Sequence, residues 1–235
     1  MQRWLLQQKR TQAWDTPLTS VDAVYAFLND NQQTLAPQAQ TVLSVDGQPL
    51  ETPKATAGLG YVKTAMPAEG KQTFTAEKTS KGTSWGAVYA QFFQPTANIA
   101  DQQSGISVTR EILADGKSQG APDTYQLKVG DRVRVRITIV ADRDYDFVQV
   151  IDKRAACLEP VSQRSGYQRG FYITPRDCTT NFYFDQLPKG KHVVETEYYV
   201  DRAGQYESGT CTVSCAYSPE FRALTKSITI NVSPK

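Results

Sequence analysis

The hydrophobic pattern of the chain begins with a helical period. Four apolar residues recur at the spacing of one face of an α-helix: Val21, Val24, Tyr25 and Leu28. Thr16 followed by Pro17 is typical of a helix N-cap with proline in the first turn. Residues 1–10 are also rich in helix formers. The sequence therefore predicts two helices within residues 1–36.

From residue 37 the spacing of hydrophobic residues changes from the helical period to the alternation that is typical of strands. Short strands are predicted at three places: Thr41–Val45, Tyr61–Thr64 and Thr73–Lys78. Asp46-Gly47 indicates a turn after the first of them. Residues Trp85–Phe93 are apolar on both faces, which predicts a central strand of a sheet. We interpret residues 37–97 as a partial β-domain, with a polar linker at Pro95–Ser104.

The remainder of the chain has the pattern of a β-sandwich. In its clearest strand, Val133, Val135, Ile137 and Ile139 alternate with Arg132, Arg134, Arg136 and Thr138. Further strands are predicted at Phe147–Ile151, Asn181–Asp185, His192–Val200, Thr210–Ala216 and Ser227–Val232. This spacing predicts a mainly β fold that ends in an antiparallel, immunoglobulin-like sandwich of seven or eight strands over residues 98–235.

Composition and charge narrow the possible functions. The chain has 235 residues, of which 40% are hydrophobic and 21% charged, so it can bury cores for two or three small domains. Its net charge of +2 is not segregated onto a basic stretch, so we expect no nucleic-acid partner. No apolar run reaches the length of a membrane helix. Residues 1–10 lack the apolar core of a signal peptide, so either the protein is cytosolic or an export signal lies upstream, and we expect the second.

The sequence contains one histidine, so acid–base catalysis by imidazole has one candidate, His192. It begins a strand after the turn Leu187–Gly190, and we expect an ordinary strand-edge side chain there. No pair of carboxylates indicates a hydrolase, and Gly58-Leu59-Gly60 lacks the following helix of a phosphate-binding loop. We assign no catalytic, cofactor-binding or metal-binding residue, and no binding residue is identified.

The cysteines leave two alternatives open. Cys211 and Cys215 lie on one predicted strand, where their Cα atoms are about 13 Å apart, too far for a disulfide with each other. In an exported protein each would pair with Cys157 or Cys178. The other interpretation is four unpaired structural cysteines.

Two surface features suggest binding functions that compete with simpler explanations. The stripe of Arg132, Arg134 and Arg136 could contact an anion, but we expect cross-strand pairing with Asp142, Asp144 and Asp146. The aromatic residues Tyr167, Phe171 and Tyr172 could form the platform of a glycan-binding or adhesive extracellular β-sandwich. Packing at the sandwich edge is the simpler explanation.

Several segments in series resemble the alpha-2-macroglobulin family and cover essentially the whole chain. Trp4-Leu5-Leu6 and Gln12–Pro17, which run into Asp22–Leu28, resemble the last helices of the family's α/α toroid. Trp85–Phe93 resembles the return of the chain through a CUB-like β-domain. Four segments resemble the C-terminal macroglobulin-type domain of bacterial members: Val129–Val133, Val150–Pro160, Phe182–Gly190 and Ala216–Phe221.

The resemblance implies toroid helices at 1–36, part of the CUB-like domain at 37–97 and a receptor-binding-like sandwich at 98–235. Family members trap proteases after a bait segment is cut, and a thioester can couple to the attacker. This sequence lacks the thioester motif Cys-x-Glu-Gln and any recognisable bait region, so no functional residue is carried over.

From the resemblance we expect a non-catalytic scaffold and interaction part of a protease inhibitor in the bacterial cell envelope, either periplasmic or on the cell surface. We expect no cofactor. The expected partners are other domains of the same full-length protein and, through it, proteases.

Overall fold

The computed structural model describes residues 2–29, 41–51, 63–66, 70–78, 86–114, 117–118 and 124–235. The described residues are mainly β, which confirms the predicted fold class. They divide into two compact units, Met1–Leu5 with Asp15–Phe92 and Leu6–Trp14 with Phe93–Lys235. The domain boundaries expected after residues 36 and 97 stay predictions.

The two predicted helices are present as α1 (Gln2–Thr11) and α2 (Pro17–Asn29). The N–H of Thr19 donates to Thr16 Oγ1 at 3.2 Å, so Thr16 caps α2 as predicted. Three of the four residues on the predicted apolar face are exposed: Val21, Val24 and Tyr25. The side chain of the fourth, Leu28, lies outside the described residues.

A small antiparallel sheet follows in the first unit, with strands β1 (Val42–Val45), β2 (Gln48–Pro49) and β3 (Phe74–Glu77) in the order β2-β1-β3. Asp46 and Gly47 have φ values of 49° and 80°, the conformation of a type I′ hairpin turn. The turn and the strands predicted at Thr41–Val45 and Thr73–Lys78 are confirmed.

Of the other two strand predictions in this region, Trp85–Phe93 is wrong and Tyr61–Thr64 lies partly outside the described residues. Residues 86–93 form no strand, and Tyr89 and Phe92 are more than 70% exposed; Trp85 lies outside the described residues. At the second place, residues 61–62 lie outside the described residues and Lys63–Thr64 form no strand. An apolar pattern indicates that a segment favours burial, but a strand also needs a neighbouring strand to pair with.

The second unit is a sandwich whose strands begin inside the predicted linker. A 3-10 turn at Thr96–Asn98 precedes β4, where only a linker was predicted. The strands are β4 (Gln102–Ser104), β5 (Ile106–Ala114), β6 (Lys117–Ser118), β7 (Thr124–Lys128), β8 (Arg132–Ala141), β9 (Tyr145–Lys153), β10 (Leu158–Pro160), β11 (Gly166–Gln168), β12 (Phe171–Pro175), β13 (Thr179–Leu187), β14 (Gly190–Val200), β15 (Gly204–Glu207), β16 (Cys211–Cys215), β17 (Ser218–Leu224) and β18 (Thr229–Ser233).

Most of these strands form one antiparallel path that folds over a common core. The order is β10-β14-β8-β5-β4-β17-β16-β9-β13-β12-β11, and β6 pairs with β5. On β8, Val133, Val135, Ile137 and Ile139 are at most 1% exposed, as the alternation predicts. They pack in one cluster with residues of β9 and β13, such as Val150 and Phe182. The core therefore lies between the two halves of the path.

The strands are more numerous than the seven or eight that were predicted. Several are two or three residues long, such as β6, β10 and β11, and have no periodic pattern that a sequence could reveal. A separate sheet, β15-β18-β7, contains the parallel pair of β18 with β7. It contributes Tyr125, Leu127, Ile230 and Val232 to the core.

Residues Leu6–Trp14 belong to the same compact unit as the sandwich. Arg10 forms an ion pair with Glu220 of β17, and the Arg10 carbonyl accepts a hydrogen bond from Ser218. The N–H of Ala13 donates to Asp146 of β9. The end of α1 and the residues after it are therefore held on the sandwich by polar contacts.

Candidate functional site

A buried ion pair lies at the centre of the sandwich. Arg110 of β5 and Asp152 of β9 approach to 2.8 Å between Nε and Oδ1, and their side chains are 6% and 1% exposed. The Arg110 guanidinium also donates to the backbone carbonyls of Ser208, Gly209 and Lys153. Arg110 thus links β5 to β9, which is not its neighbour in the sheet, and also to the connection between β15 and β16.

The environment of this pair shifts acid–base equilibria. Complete burial raises the pKa of Asp152 to about 6, although the charges of Arg110 and Arg154 act in the opposite direction. Burial also raises the pKa of the Cys211 thiol well above its ordinary value. Perturbed groups often mark functional sites, but ion pairs that stabilise a fold perturb pKa values as well. The carbonyl contacts of Arg110 favour a structural role here.

The Arg110–Asp152 pair was not predicted, although the sequence carries a signal for it. Arg110 follows Ile106 and Val108 at the same strand period, and Asp152 follows Val148 and Val150 in the same way. A charged residue on the inward face of a strand is expected to find a buried partner.

The arginine stripe is paired, but with partners other than those predicted. Arg132, Arg134 and Arg136 of β8 contact Glu197 and Glu195 of β14, with N–O distances of 2.5 to 3.4 Å. The hydrogen bond from Arg134 lowers the pKa of Glu197. Each arginine of the stripe is therefore ion-paired on its own sheet face.

The three aspartates that we expected beside the stripe have other contacts. Asp142 accepts hydrogen bonds from Arg143 and Tyr145, Asp144 accepts one from the N–H of Lys189, and Asp146 accepts one from Ala13. The expectation placed them on the strand next to β8. The strands that flank β8 are instead β14 and β5, since β9 pairs with β13 and β16.

Asp142 and Tyr145 belong to a tightly packed corner of the sandwich. The Tyr145 hydroxyl donates to Asp142 at 2.5 Å, and the Tyr145 ring packs against Phe221 at 5.4 Å between centroids. Gly105, with φ of 71°, lies against both rings. A Cβ atom at this position would lie 2.5 Å from the Tyr145 oxygen and 2.8 Å from Phe221. The corner needs glycine for its conformation and for its close approach.

His192 lies at the start of β14, and its Nε2 is 2.6 Å from the carbonyl oxygen of Pro188. Because a carbonyl oxygen only accepts hydrogen bonds, Nε2 is the donor in this contact. The hydrogen bond stabilises the turn before the strand. The geometry fits the strand-edge interpretation of His192.

The four cysteines are free thiols, with Cys157, Cys211 and Cys215 buried and Cys178 exposed. Cys211 and Cys215 are the ends of strand β16, so the predicted absence of a bond between them is confirmed. Burial raises the pKa of Cys157 to about 11. The structure corresponds to the interpretation of four unpaired cysteines.

The aromatic surface does not form a flat platform. Tyr167 is 78% exposed and meets Tyr172 at 5.0 Å in an edge-to-face arrangement. Phe171 instead packs on the core residues Phe182 and Phe184. This arrangement favours edge packing over stacking on a sugar ring.

Two concave regions occur on the sandwich. One, of about 170 Å³, is lined by residues of the β10–β11 connection and by Glu195–Tyr198. The other, of about 510 Å³, includes Asp146, Phe147 and Asp185. Among the described residues, no group of three or more His, Cys, Asp and Glu side chains is arranged to hold a metal. No helix in the described part of the chain is long and apolar enough to cross a membrane.

The comparisons with known proteins relate this sandwich to one family. Residues 105–220 match the family model described as the bacterial alpha-2-macroglobulin MG10 domain. No curated protein matches the sequence.

Solved structures show the same fold over a larger part of the chain. Trypsin-activated alpha-2-macroglobulin from Escherichia coli is 15% identical with a TM-score of 0.55, over 97% of this chain and 16% of that chain. Methylamine-reacted Salmonella alpha-2-macroglobulin is 19% identical with a TM-score of 0.52, over 91% and 14%. The native E. coli protein is 20% identical with a TM-score of 0.52, over 60% and 10%. The chain thus spans less than a fifth of the length of these relatives.

The sandwich is therefore a macroglobulin domain. Residues 105–220 are an MG10-type domain of the bacterial alpha-2-macroglobulin family, and the resemblance drawn from the sequence is confirmed. The chain is similar to part of an alpha-2-macroglobulin-like protein.

Proposed function

We propose that this chain is the non-catalytic scaffold and interaction part of a bacterial alpha-2-macroglobulin-like protease-trapping inhibitor. The match of residues 105–220 to the MG10 domain carries the proposal. The contacts of the charged groups support it, because the buried Arg110–Asp152 pair and the arginine stripe join strands of the sandwich to each other. The role of such a domain is to pack against other domains of the full-length protein and to transmit their rearrangement.

The proposal places the full-length protein in the bacterial cell envelope, with proteases as its targets. This chain alone inhibits no protease, because it lacks the thioester motif and a recognisable bait region. We expect the source gene to encode macroglobulin-type β-domains and the rest of a helical toroid before residue 1. Cell fractionation with an antibody against this chain is expected to place the protein in the envelope rather than in the cytosol.

The test compares a large and a small substrate of one protease. A trap encloses the protease, so the full-length protein should block cleavage of a large protein substrate while a small peptide is still cleaved. The 235-residue chain alone should change neither rate. Equal cleavage of the large substrate with and without the full-length protein contradicts the inhibitor function.

A further inference from the structure

One edge of β14 carries backbone groups without a strand partner in the part of the chain that the structure describes. β14 pairs along its length with β8, whereas β10 covers the other edge only opposite Tyr198–Val200. The N–H of Val161 extends this cover by one bond, to the carbonyl of Glu197. From Glu197 back toward Gly190, no described strand lies on this edge.

The residues whose backbone groups point at the open edge follow from the alternation of an antiparallel ladder. The N–H of Val200 donates to Asp131 on the β8 side, whereas the carbonyl of Glu197 accepts from Val161 on the β10 side. The backbone N–H and C=O groups of even-numbered residues of β14 therefore point toward β8, and those of odd-numbered residues point to the opposite edge of the strand. The backbone groups that face the open edge belong to Lys191, Val193 and Glu195.

The side chains along this edge are self-complementary in charge. Lys189 and Lys191 precede Val193, and Glu195 and Glu197 follow it at the same spacing. Val193 itself is 46% exposed. When a second β14 runs antiparallel about a two-fold axis at Val193, Lys191 of each strand lies opposite Glu195 of the other. The side chains of Lys189 and Glu197 then flank the paired segment with opposite charges.

We propose that the open edge of β14 pairs with the same edge of a second copy of this chain. The two sandwiches then share a continuous antiparallel sheet, and the two-fold axis closes the assembly at a dimer. Edge lysines usually discourage such pairing. Here each lysine meets a glutamate, and Glu195 lies between Arg136 of its own chain and Lys191 of the other copy. The paired segment is short, so the dissociation constant is expected to be micromolar or weaker.

The test is the molar mass of the 235-residue chain in solution as a function of concentration, measured by sedimentation velocity. We expect a reversible monomer–dimer equilibrium that weakens as salt is added. The V193P variant removes an N–H that points out of the sheet and leaves the ladder with β8 intact, as proline requires at a strand edge. It should raise the dissociation constant by about a hundredfold or more, because the symmetric pair loses both central hydrogen bonds. The matched variant V193T keeps the N–H and the β-branched shape and should still dimerise.

A second variant tests the charge pattern with the backbone unchanged. K189E/K191E places four acidic side chains along each edge and should remain monomeric at concentrations where the unmodified chain dimerises. Thermal unfolding of each variant establishes that it is folded. An unmodified chain that stays monomeric at the highest concentrations overturns the proposal, and so does growth into polymers larger than a dimer. A V193P variant that dimerises like the unmodified chain also overturns it, because the contact then uses another surface.

Discussion

The guanidinium of Arg110 and the carboxylate of Asp152 lie 2.8 Å apart in the interior of the sandwich, on strands that are separated by three others in the sheet order. The two atoms at this distance form no well-directed hydrogen bond. The pair is therefore a contact of charges, and the three backbone carbonyls provide the directed bonds of Arg110. Removing one partner of a buried ion pair lowers the stability of the fold, because the remaining charge stays buried without a counter-charge.

We expect the R110M variant to lower the free energy of unfolding by about 3–5 kcal/mol at pH 7. Asp152 loses its buried cation, and three carbonyls lose their donor. The double variant R110M/D152N should recover part of this loss. Urea denaturation measures each value, and R136M is the control, because Arg136 makes its ion pair on the partly exposed face. Equal midpoints for R110M and R136M would contradict a central role of Arg110.

The raised pKa of Asp152 predicts how the stability depends on pH. The pKa is about 6 in the folded state and near 3.8 in an unfolded chain, so the folded protein holds this proton over the interval between them. The contribution of this group to the free energy of unfolding is therefore largest below about pH 4. It falls by up to about 3 kcal/mol as the pH rises to 6.

The comparison with D152N isolates this effect from other titrating groups. We expect the unmodified chain to lose stability relative to D152N between pH 4 and pH 6. Below that range the lowered pKa of Asp142 acts in the opposite direction in both proteins, since its stabilising charge is lost on acidification. A difference between the two proteins that stays constant from pH 4 to pH 7 would show that Asp152 does not titrate in this range.

The cysteine environments predict two classes of thiol reactivity. Denatured, unreduced protein should give four thiols, and folded protein should react rapidly at Cys178 alone, because the other three are buried and burial raises their pKa values. The C178S variant should abolish the rapid phase. Mass spectrometry after maleimide labelling identifies the modified residue. Fewer than four thiols in the denatured chain would indicate a disulfide.

The close approach at Gly105 predicts a destabilising glycine-to-alanine substitution. G105A adds a left-handed backbone strain and a Cβ atom that collides with Tyr145 and Phe221, so we expect a loss of about 2–4 kcal/mol. G170A is the matched control, because Gly170 also has a positive φ but has no atom within 4 Å of the added carbon. It should cost about 1 kcal/mol. Thermal unfolding compares the two, and equal losses would show that the corner can adjust to the added methyl group.

The sequence predicts those parts of the structure that depend on neighbouring residues. The alternation in β8, the Asp46-Gly47 turn and the Thr16 cap each involve a few adjacent residues, and all three are confirmed. The family resemblance likewise identified the C-terminal sandwich, because a series of segments in order is more specific than any one of them.

The features that could not be predicted depend on which strands become neighbours. The glutamates beside the arginine stripe are about sixty residues away in sequence, so their pairing follows from the register of β14 against β8. The aspartates that follow the stripe were predicted as its partners because they are close to it in sequence. However, β9 is not a neighbour of β8 in the sheet. The pairing of Arg110 with Asp152 is fixed in the same way. Charge patterns indicate that partners are needed, and the topology decides which they are.

The last strand has a consequence for how the domain is made. β18 lies between β15 and β7, and its parallel register joins Thr229–Ser233 to Thr124–Lys128, about a hundred residues earlier in the chain. Ile230 and Val232 fill the core from this strand. During synthesis on the ribosome, β7 therefore emerges long before its partner exists. The domain can close its core only after the segment at 229–233 has left the exit tunnel, so β7 stays without its parallel neighbour while about a hundred further residues are synthesised.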